Sequence, residues 1–220
     1  MVQVYKNLID QSNIEQLLEY HRKPDHRTDR REHVTSKHPR WNIDQWPQCI
    51  IEGAIDKILD APIEVEEVIF NESTIGFQIH ADSGYNNSAV YKGLIFPLDC
   101  RLASTVFFNN YWYGDAAKFV RSQDYFRHEQ NTPDSLSSKD QRIQDYTCVQ
   151  NFTDEEFDSD VYKQYLTHIP YENLHGLIVD KIIKWVPGDV IVFDRHQLHC
   201  ASNEHDTKTG VTVFTNLSTY

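Results

Sequence analysis

Two periodicities divide this chain. Over residues 47–60 the apolar positions Ile50, Ile51, Ala54, Ile55, Ile58 and Leu59 recur at mixed three- and four-residue intervals. That stripe predicts a helix lying against a sheet. Residues 13–20 predict another, with Asn13 as cap and Gln16 three residues on. From Ile63 the pattern changes to short β-prone pieces at 63–70, 74–80, 93–98, 102–109, 177–186, 189–194 and 210–216. Val211-Thr212-Val213-Phe214-Thr215 alternates with period two, and Pro187-Gly188-Asp189 marks a turn before Val190-Ile191-Val192-Phe193. Strands so separated predict a mainly β sandwich or jelly roll with flanking α-helices, rather than a parallel α/β sheet.

The organisation that follows is one domain: a helical part over about 1–62, a β core over about 63–217, and a polar, irregular insertion over about 114–176. The insertion holds Thr132-Pro133-Asp134-Ser135-Leu136-Ser137-Ser138 and the acidic run Asp154-Glu155-Glu156-Phe157-Asp158-Ser159-Asp160. Long excursions of this kind are either covers for a site or surface decoration, here with a short helix around Phe157–Leu166. Both readings stand.

Composition narrows the class. With 40% apolar or aromatic residues, a chain of 220 residues can bury a sizeable core. No apolar run approaches the length of a membrane-spanning helix, and the start lacks a signal-peptide pattern. Cys49, Cys100, Cys148 and Cys200 are too dispersed for a close metal pair or a disulfide framework, which points to a reducing, cytoplasmic setting. A formal charge of −12 opposes binding to a nucleic-acid backbone. One basic stretch, from His21-Arg22-Lys23 to Lys37-His38-Pro39-Arg40, departs from that average as a solvated surface segment or an anion-attracting rim.

The candidate chemistry is a split set of metal ligands. His80 and Asp82 stand two apart at the end of the 74–80 strand, so both side chains project from one face. His199 follows the strand 189–194 and a turn-like segment, Asp194-Arg195-His196-Gln197-Leu198. Antiparallel folding can bring these strand ends together. Two imidazoles and one carboxylate form the facial set of a non-haem Fe(II) oxygenase, although zinc accepts the same donors. His196 has the opposite parity to His199 and reads as a turn residue.

Three passages carry a resemblance to a family: Phe77-Gln78-Ile79-His80-Ala81-Asp82-Ser83-Gly84, Pro187-Gly188-Asp189-Val190-Ile191-Val192-Phe193-Asp194, and His199-Cys200-Ala201-Ser202-Asn203 with Lys208-Thr209-Gly210-Val211-Thr212-Val213. Together they resemble the Fe(II)/2-oxoglutarate-dependent dioxygenases, and are similar to the phytanoyl-CoA hydroxylase-like and prolyl-hydroxylase-like branches. The resemblance implies a double-stranded β-helix (jelly roll, cupin-like). It implies His80, Asp82 and His199 as iron ligands, and Lys208 as partner of the far carboxylate of 2-oxoglutarate. The family more often has Arg there, with planar fork geometry that Lys lacks. Arg101 is the alternative anchor. Thr105, Thr212 and Tyr91 are candidates to donate hydroxyl hydrogen bonds to the co-substrate, or else packing residues.

The implied activity is hydroxylation with Fe(II), 2-oxoglutarate and dioxygen, releasing succinate and carbon dioxide. Asp82 disfavours halogenation, for which the family gives up this carboxylate. Desaturation and cyclisation stay open. Two other readings also stand: a zinc or other metal-dependent hydrolase or isomerase on a cupin-like fold, and a non-catalytic β-sandwich binding module. A small organic substrate is preferred, with a peptide or protein possible. The segment Val106-Phe107-Phe108-Asn109-Asn110-Tyr111-Trp112-Tyr113 either lines a cavity or packs, and Trp41 and Trp46 are candidates to close the entrance.

Overall fold

Alternating strands bury one face against helices and the other against a second sheet, and that requirement sets the architecture of this computed structural model. It describes residues 2–22, 36–37, 47–73, 76–83, 90–114, 117–119, 142–144, 149–203 and 207–218. The described strands are β1 (Gln3–Tyr5), β2 (Ser36–Lys37), β3 (Ile63–Ser73), β4 (His80–Ala81), β5 (Val90–Asp99) and β6 (Ser104–Tyr111). They continue with β7 (Ala117–Phe119), β8 (Arg142–Gln144), β9 (Val179–Lys184), β10 (Val190–Asp194), β11 (Gln197–Ala201) and β12 (Lys208–Leu217). One sheet has the order β1-β10-β5-β12-β3-β2 and the other β8-β7-β4-β11-β6-β9. Every described pairing is antiparallel except β7 with β8. Two facing sheets of this kind make the expected jelly roll.

Three apolar layers follow from strand parity. Leu94, Phe96 and Leu98 of β5, Val190 and Val192 of β10, and Val211 and Val213 of β12 face outward. There they meet α1 (Gln11–Arg22) through Ile14, Leu17 and Tyr20, and α2 (Pro47–Ile58) through Ile51, Ala54 and Ile55. The alternate residues Ile95, Ile191 and Phe193 point between the sheets, where they join Phe107 and Trp185. On the far face, Val106, Phe108, Leu198 and Cys200 are covered by Phe157, Leu166, Ile169 and Leu174 of the segment before β9.

Several boundaries differ from the sequence expectation. The cap of α1 is Asp10, whose Oδ1 accepts from the Asn13 amide at 2.8 Å, so Asn13 lies inside the first turn. The predicted strand at 74–80 is confined to His80–Ala81; Thr74 and Ile75 lie outside the described residues. Ahead of it the Phe77 carbonyl pairs with His168 Nε2 at 3.1 Å rather than with a strand. Gly76 lies so close to that imidazole that a Cβ there would sit 2.6 Å from it. His199 follows β10 as expected, but it is itself the centre of β11, which begins at Gln197 within the segment read as turn-like, Asp194–Leu198. That turn is shorter because Asp194 Oδ1 accepts from the His196 amide at 2.9 Å and reverses the chain there.

The Pro187–Gly188 turn is as expected. The Asp189 amide donates to the Val186 carbonyl at 3.0 Å, and Gly188 has φ +90°, which favours glycine. β1 joins the first sheet within the part expected to be helical. The predicted helix at 157–166 is one α-turn, Ser159–Val161, running into a π-helical stretch, Tyr162–Leu166. Trp41, Trp46, most of the basic stretch and residues 132–138 lie outside the described residues.

Phe70 ties the helices to the sheet. It is fully buried, with Tyr20 and His21 of α1 at ring distances of 5.9 and 5.3 Å. Phe70→Ala is expected to cost about 3–5 kcal/mol, measured by urea unfolding.

Candidate metal centre

Register brings the two histidines together. His199 and His80 are direct cross-strand partners in β11 and β4, so their side chains leave the same face side by side. Their rings lie 4.2 Å apart. The same row extends across the sheet: His80 faces Lys118 of β7, His199 faces Phe107 of β6, and Phe107 faces Lys181 of β9. Asp82, two residues beyond His80, returns to that face. Its Oδ1 lies 3.5 Å from His80 Nε2 and its Oδ2 3.1 Å from His199 Nε2. One ligand atom from each residue fits within 4.8 Å of the others.

The outer nitrogens are committed elsewhere. His80 Nδ1 is 2.7 Å from the Gln78 carbonyl, and His199 Nδ1 is 3.0 Å from the Gln197 carbonyl. A carbonyl can only accept, so each Nδ1 carries the hydrogen and each Nε2 is turned toward the carboxylate. Histidine metal ligands are commonly fixed in this way. Burial, helped by the charge of His199, pushes the His80 pKa down to about 4, against the opposing pull of Asp82. For Asp82 burial acts upward. The two imidazoles, the His199 hydrogen bond and Arg195 outweigh it and hold the carboxyl at about 2. A neutral imidazole and an ionised carboxylate are the forms that bind metal.

Arg195 holds the carboxylate segment. It is 2% exposed, and its Nε donates to the Asp82 carbonyl at 2.8 Å. Its Nη1 donates to Glu66 Oε2 at 2.6 Å, the Thr215 carbonyl at 3.0 Å and Asn216 Oδ1 at 3.1 Å. The Asp82 amide in turn donates to the Arg195 carbonyl at 2.9 Å. One guanidinium thus joins the metal-ligand turn to β3 and β12. The sequence reading passed over Arg195 as part of a turn. Its neighbour Asp194 and the short gap to His199 gave no sign that the side chain was buried.

No family model matches the chain, and no curated protein matches it either. Solved structures do. A prolyl-4-hydroxylase from Pseudomonas putida is similar over 99% of this chain and 92% of its own, with a TM-score of 0.54 at 10% identity. HygX from Streptomyces hygroscopicus, solved with nickel, 2-oxoglutarate and hygromycin B, is similar over 100% of this chain and 84% of its own. Its TM-score is 0.53 at 8% identity. EctD from S. alaskensis, solved with 2-oxoglutarate and 5-hydroxyectoine, is similar over 98% and 72%, with a TM-score of 0.51 at 11% identity. The chain shares its fold with these solved structures.

Within this fold the other expected residues are placed unequally. Lys208 is buried at the start of β12, its Nζ 4.8 Å from the centre of the Trp185 ring. Thr105 is buried, and its Oγ1 accepts from Trp185 Nε1 at 2.9 Å, which leaves the hydroxyl hydrogen for another partner. Thr212 alternates with the helix-facing Val211 and Val213, so it points between the sheets, and its Oγ1 accepts from Asn71 Nδ2 at 2.7 Å. Tyr91 is half-buried, with Lys92 Nζ 5.1 Å from its ring centre. Arg101 is exposed in the turn between β5 and β6, so it is not brought to the barrel interior and is corrected as an anchor.

The aromatic segment divides by parity. Phe107 stacks on His199 at 5.6 Å, whereas Val106 and Phe108 pack on the outer face and Tyr113 is 60% exposed. Phe193 fills the space between the sheets, with its ring 4.7 Å from that of His199. Trp185 escaped the sequence reading, although an aromatic residue just before the Pro-Gly-Asp turn was a visible signal. His196 lies outside the cluster, its Nδ1 3.1 Å from Asp194 Oδ1 and its ring against Tyr113 at 4.8 Å. Among the described residues no helix is long and apolar enough to cross a membrane, and Cys49, Cys100 and Cys200 form no disulfide.

Arg195→Met removes the four side-chain hydrogen bonds of Arg195 while keeping much of the side-chain volume. It is expected to lower stability by about 2–3 kcal/mol in urea unfolding. Because Asp82 loses its support, divalent-metal affinity measured by calorimetry should fall as well. Unchanged metal affinity would show that the Asp82 turn holds itself.

Proposed function

We propose that this protein is an Fe(II)- and 2-oxoglutarate-dependent oxygenase that hydroxylates a small organic substrate and releases succinate and carbon dioxide. The observation that carries the reading is the cross-strand His80–His199 pair with Asp82 closing on both Nε2 atoms. The donor set fits Fe(II): two imidazoles with Nδ1 already bonded, and one carboxylate, leave part of an octahedral shell open. The shared fold favours this reading over a hydrolase or a binding module.

In this proposal His80, Asp82 and His199 hold the iron. Lys208 meets the far carboxylate of 2-oxoglutarate from β12, with Thr105 and Thr212 as hydroxyl donors on the same interior. Tyr91 is a more distant candidate donor. The bound iron and 2-oxoglutarate supply, with dioxygen, the oxidising power for hydroxylation of a C–H bond. The protein contributes ligation, orientation and dryness. Phe107 and Phe193 wall off one side of His199 and exclude water from it. Arg195 keeps the Asp82 carboxylate turned inward. The single domain would comprise residues 1–220, with the helical part over about 1–62, the β core over about 63–217 and the described part of the 114–176 insertion as a cover on the second sheet. The described part of that insertion already packs there through Phe157, Leu166, Ile169 and Leu174.

Anaerobic addition of Fe(II) and 2-oxoglutarate should give the weak visible charge-transfer absorption of their complex, and oxygen with a substrate should give succinate. His199→Ala should lose both iron and the band. Lys208→Ala should keep iron but bind 2-oxoglutarate about tenfold more weakly or worse, or about 1.4 kcal/mol. No band in folded protein would sink the assignment, and an unchanged affinity in the Lys208 variant would reject that residue's role.

A further inference from the structure

A bulge in β9 turns one carboxylate toward the metal end of the second sheet. β9 pairs Lys181 with Phe107 and Val179 with Phe108, so Asp180 between them has no partner in β6. Bulges re-aim a side chain out of the regular alternation. Here the Asp180 carboxylate meets Gln197 of β11, whose Nε2 donates to Asp180 Oδ2 and to the Phe108 carbonyl, both at 3.0 Å. Regular spacing puts β9 and β11 roughly 10 Å apart, so the contact passes over the backbone of β6. Gln197 is fully buried and stands two residues before His199 on the same face of β11. Two residues of strand span about 7 Å. Asp180 is therefore within reach of a small molecule bound at the His80–Asp82–His199 centre.

Aromatic rings border the carboxylate. Tyr111 is the direct partner of Gln197 in β6. Burial and the charges of Asp194 and Asp180 push its pKa up, consistent with their nearness. The exposed Tyr113 ring stacks at 6.3 Å from Tyr111 and at 4.8 Å from His196. That stack ends beside the metal ligands, because the carbonyl of Arg195, next to His196, accepts from the Asp82 amide.

The charge of Asp180 is the unanswered one in this group. Asp194 is answered by His196 at 3.1 Å and by Lys92 at 3.8 Å. Lys181, next in sequence to Asp180, turns its ammonium to the Val2 carbonyl at 2.7 Å. Among the described residues Asp180 is hydrogen-bonded to Gln197 alone. Asp180 is exposed, yet a buried amide holds it, which sets it apart from an ordinary surface carboxylate. A fixed carboxylate bordered by ring faces selects a cation.

We infer that Asp180, with Tyr111 and Tyr113, is the substrate-recognition group of the site and that the substrate is a small molecule carrying an ammonium group. The ammonium pairs with Asp180 against the two rings, and the carbon chain runs past Gln197 to the centre held by His80, Asp82 and His199. This substrate class rests on the oxygenase reading above. Asp180 gives and takes no proton, and Gln197 is a positioning residue that keeps its carboxylate in place.

The test separates this inference from the reading beneath it. The anaerobic Fe(II)–2-oxoglutarate protein is titrated, by calorimetry and by change in its visible band, with hexylamine, hexanamide and hexanoate, which share one carbon chain. Wild type should bind the amine at least about tenfold more tightly than the amide or the carboxylate. Asp180→Asn should abolish that preference, Asp180→Glu should retain it, and Asp180→Lys should shift it toward hexanoate. Tyr113→Ala should weaken amine binding about two- to fivefold and leave the amide unchanged. Formation of the visible band in each variant certifies its fold and its metal site. If Asp180→Asn does not form the band, comparison of Asp180→Glu with Asp180→Lys decides by charge alone. A wild-type protein that forms the band but shows no amine preference overturns the inference. So does a preference that survives in Asp180→Asn or in Asp180→Lys. An amine affinity unchanged in Tyr113→Ala removes that ring from the recognition group. Failure of wild type to form any band removes the oxygenase reading, and calorimetry still decides whether the site selects an ammonium.

Discussion

The register between β4 and β11 is the constraint on which the site depends. A strand presents alternate residues to opposite faces, so a slip of one residue would send His80 outward and leave His199 alone. Yet β4 has only two residues, too few to hold a register by their own ladder. The alignment is fixed from outside. β11 is paired on its other edge with the long β6, Arg195 binds the backbone of Asp82, and the Phe119 amide donates to the Ile79 carbonyl at 2.9 Å. This two-residue strand thus carries His80 and leads directly into Asp82, because its neighbours supply the order it lacks.

Charge is arranged around this alignment with some economy. A carboxylate out of water is unfavourable unless it is paired and hydrogen-bonded. Asp82 faces two imidazoles whose Nδ1–H groups are held by backbone carbonyls, so its oxygens and the two Nε2 atoms converge where a cation would balance them. Those carbonyls, at Gln78 and Gln197, each lie two residues before the histidine they orient, so the same local geometry is used twice. Arg195 completes the balance from the backbone side, and Glu66 answers its charge at the edge of the interior.

Much of this was legible in the chain. The long alternating strands, the Pro187–Gly188 turn and the α2 stripe could be read because each is a local signal repeated over many residues. His80 and Asp82 were visible through their spacing, and His199 and Lys208 through resemblance to a family. The errors have a common physical source. The turn-like reading of Asp194–Leu198 ran into the start of β11 because Gln197-Leu198-His199-Cys200-Ala201 is too short and too polar to announce a strand. Its place in the sheet comes from partners far away in sequence. The strand predicted over 74–80 is strand only at His80 among the described residues for the converse reason: its apolar residues satisfy the pattern, but a histidine from the 159–169 region takes the Phe77 carbonyl. Arg195, Asp180 and Trp185 carry no local mark. Each is recognised only by what the fold sets against it.

Gly93 has a consequence for the product of the reaction proposed for this site. A Cβ at that position would lie 2.3 Å from the Phe193 ring, so the missing side chain is what lets the ring lie flat against β5 and reach His199. With Phe107 beside it, the ring closes the back of the centre as a solid wall. A prochiral carbon oxidised at the proposed centre would meet that wall on one side, and it is the absence of a side chain at Gly93 that sets the wall there.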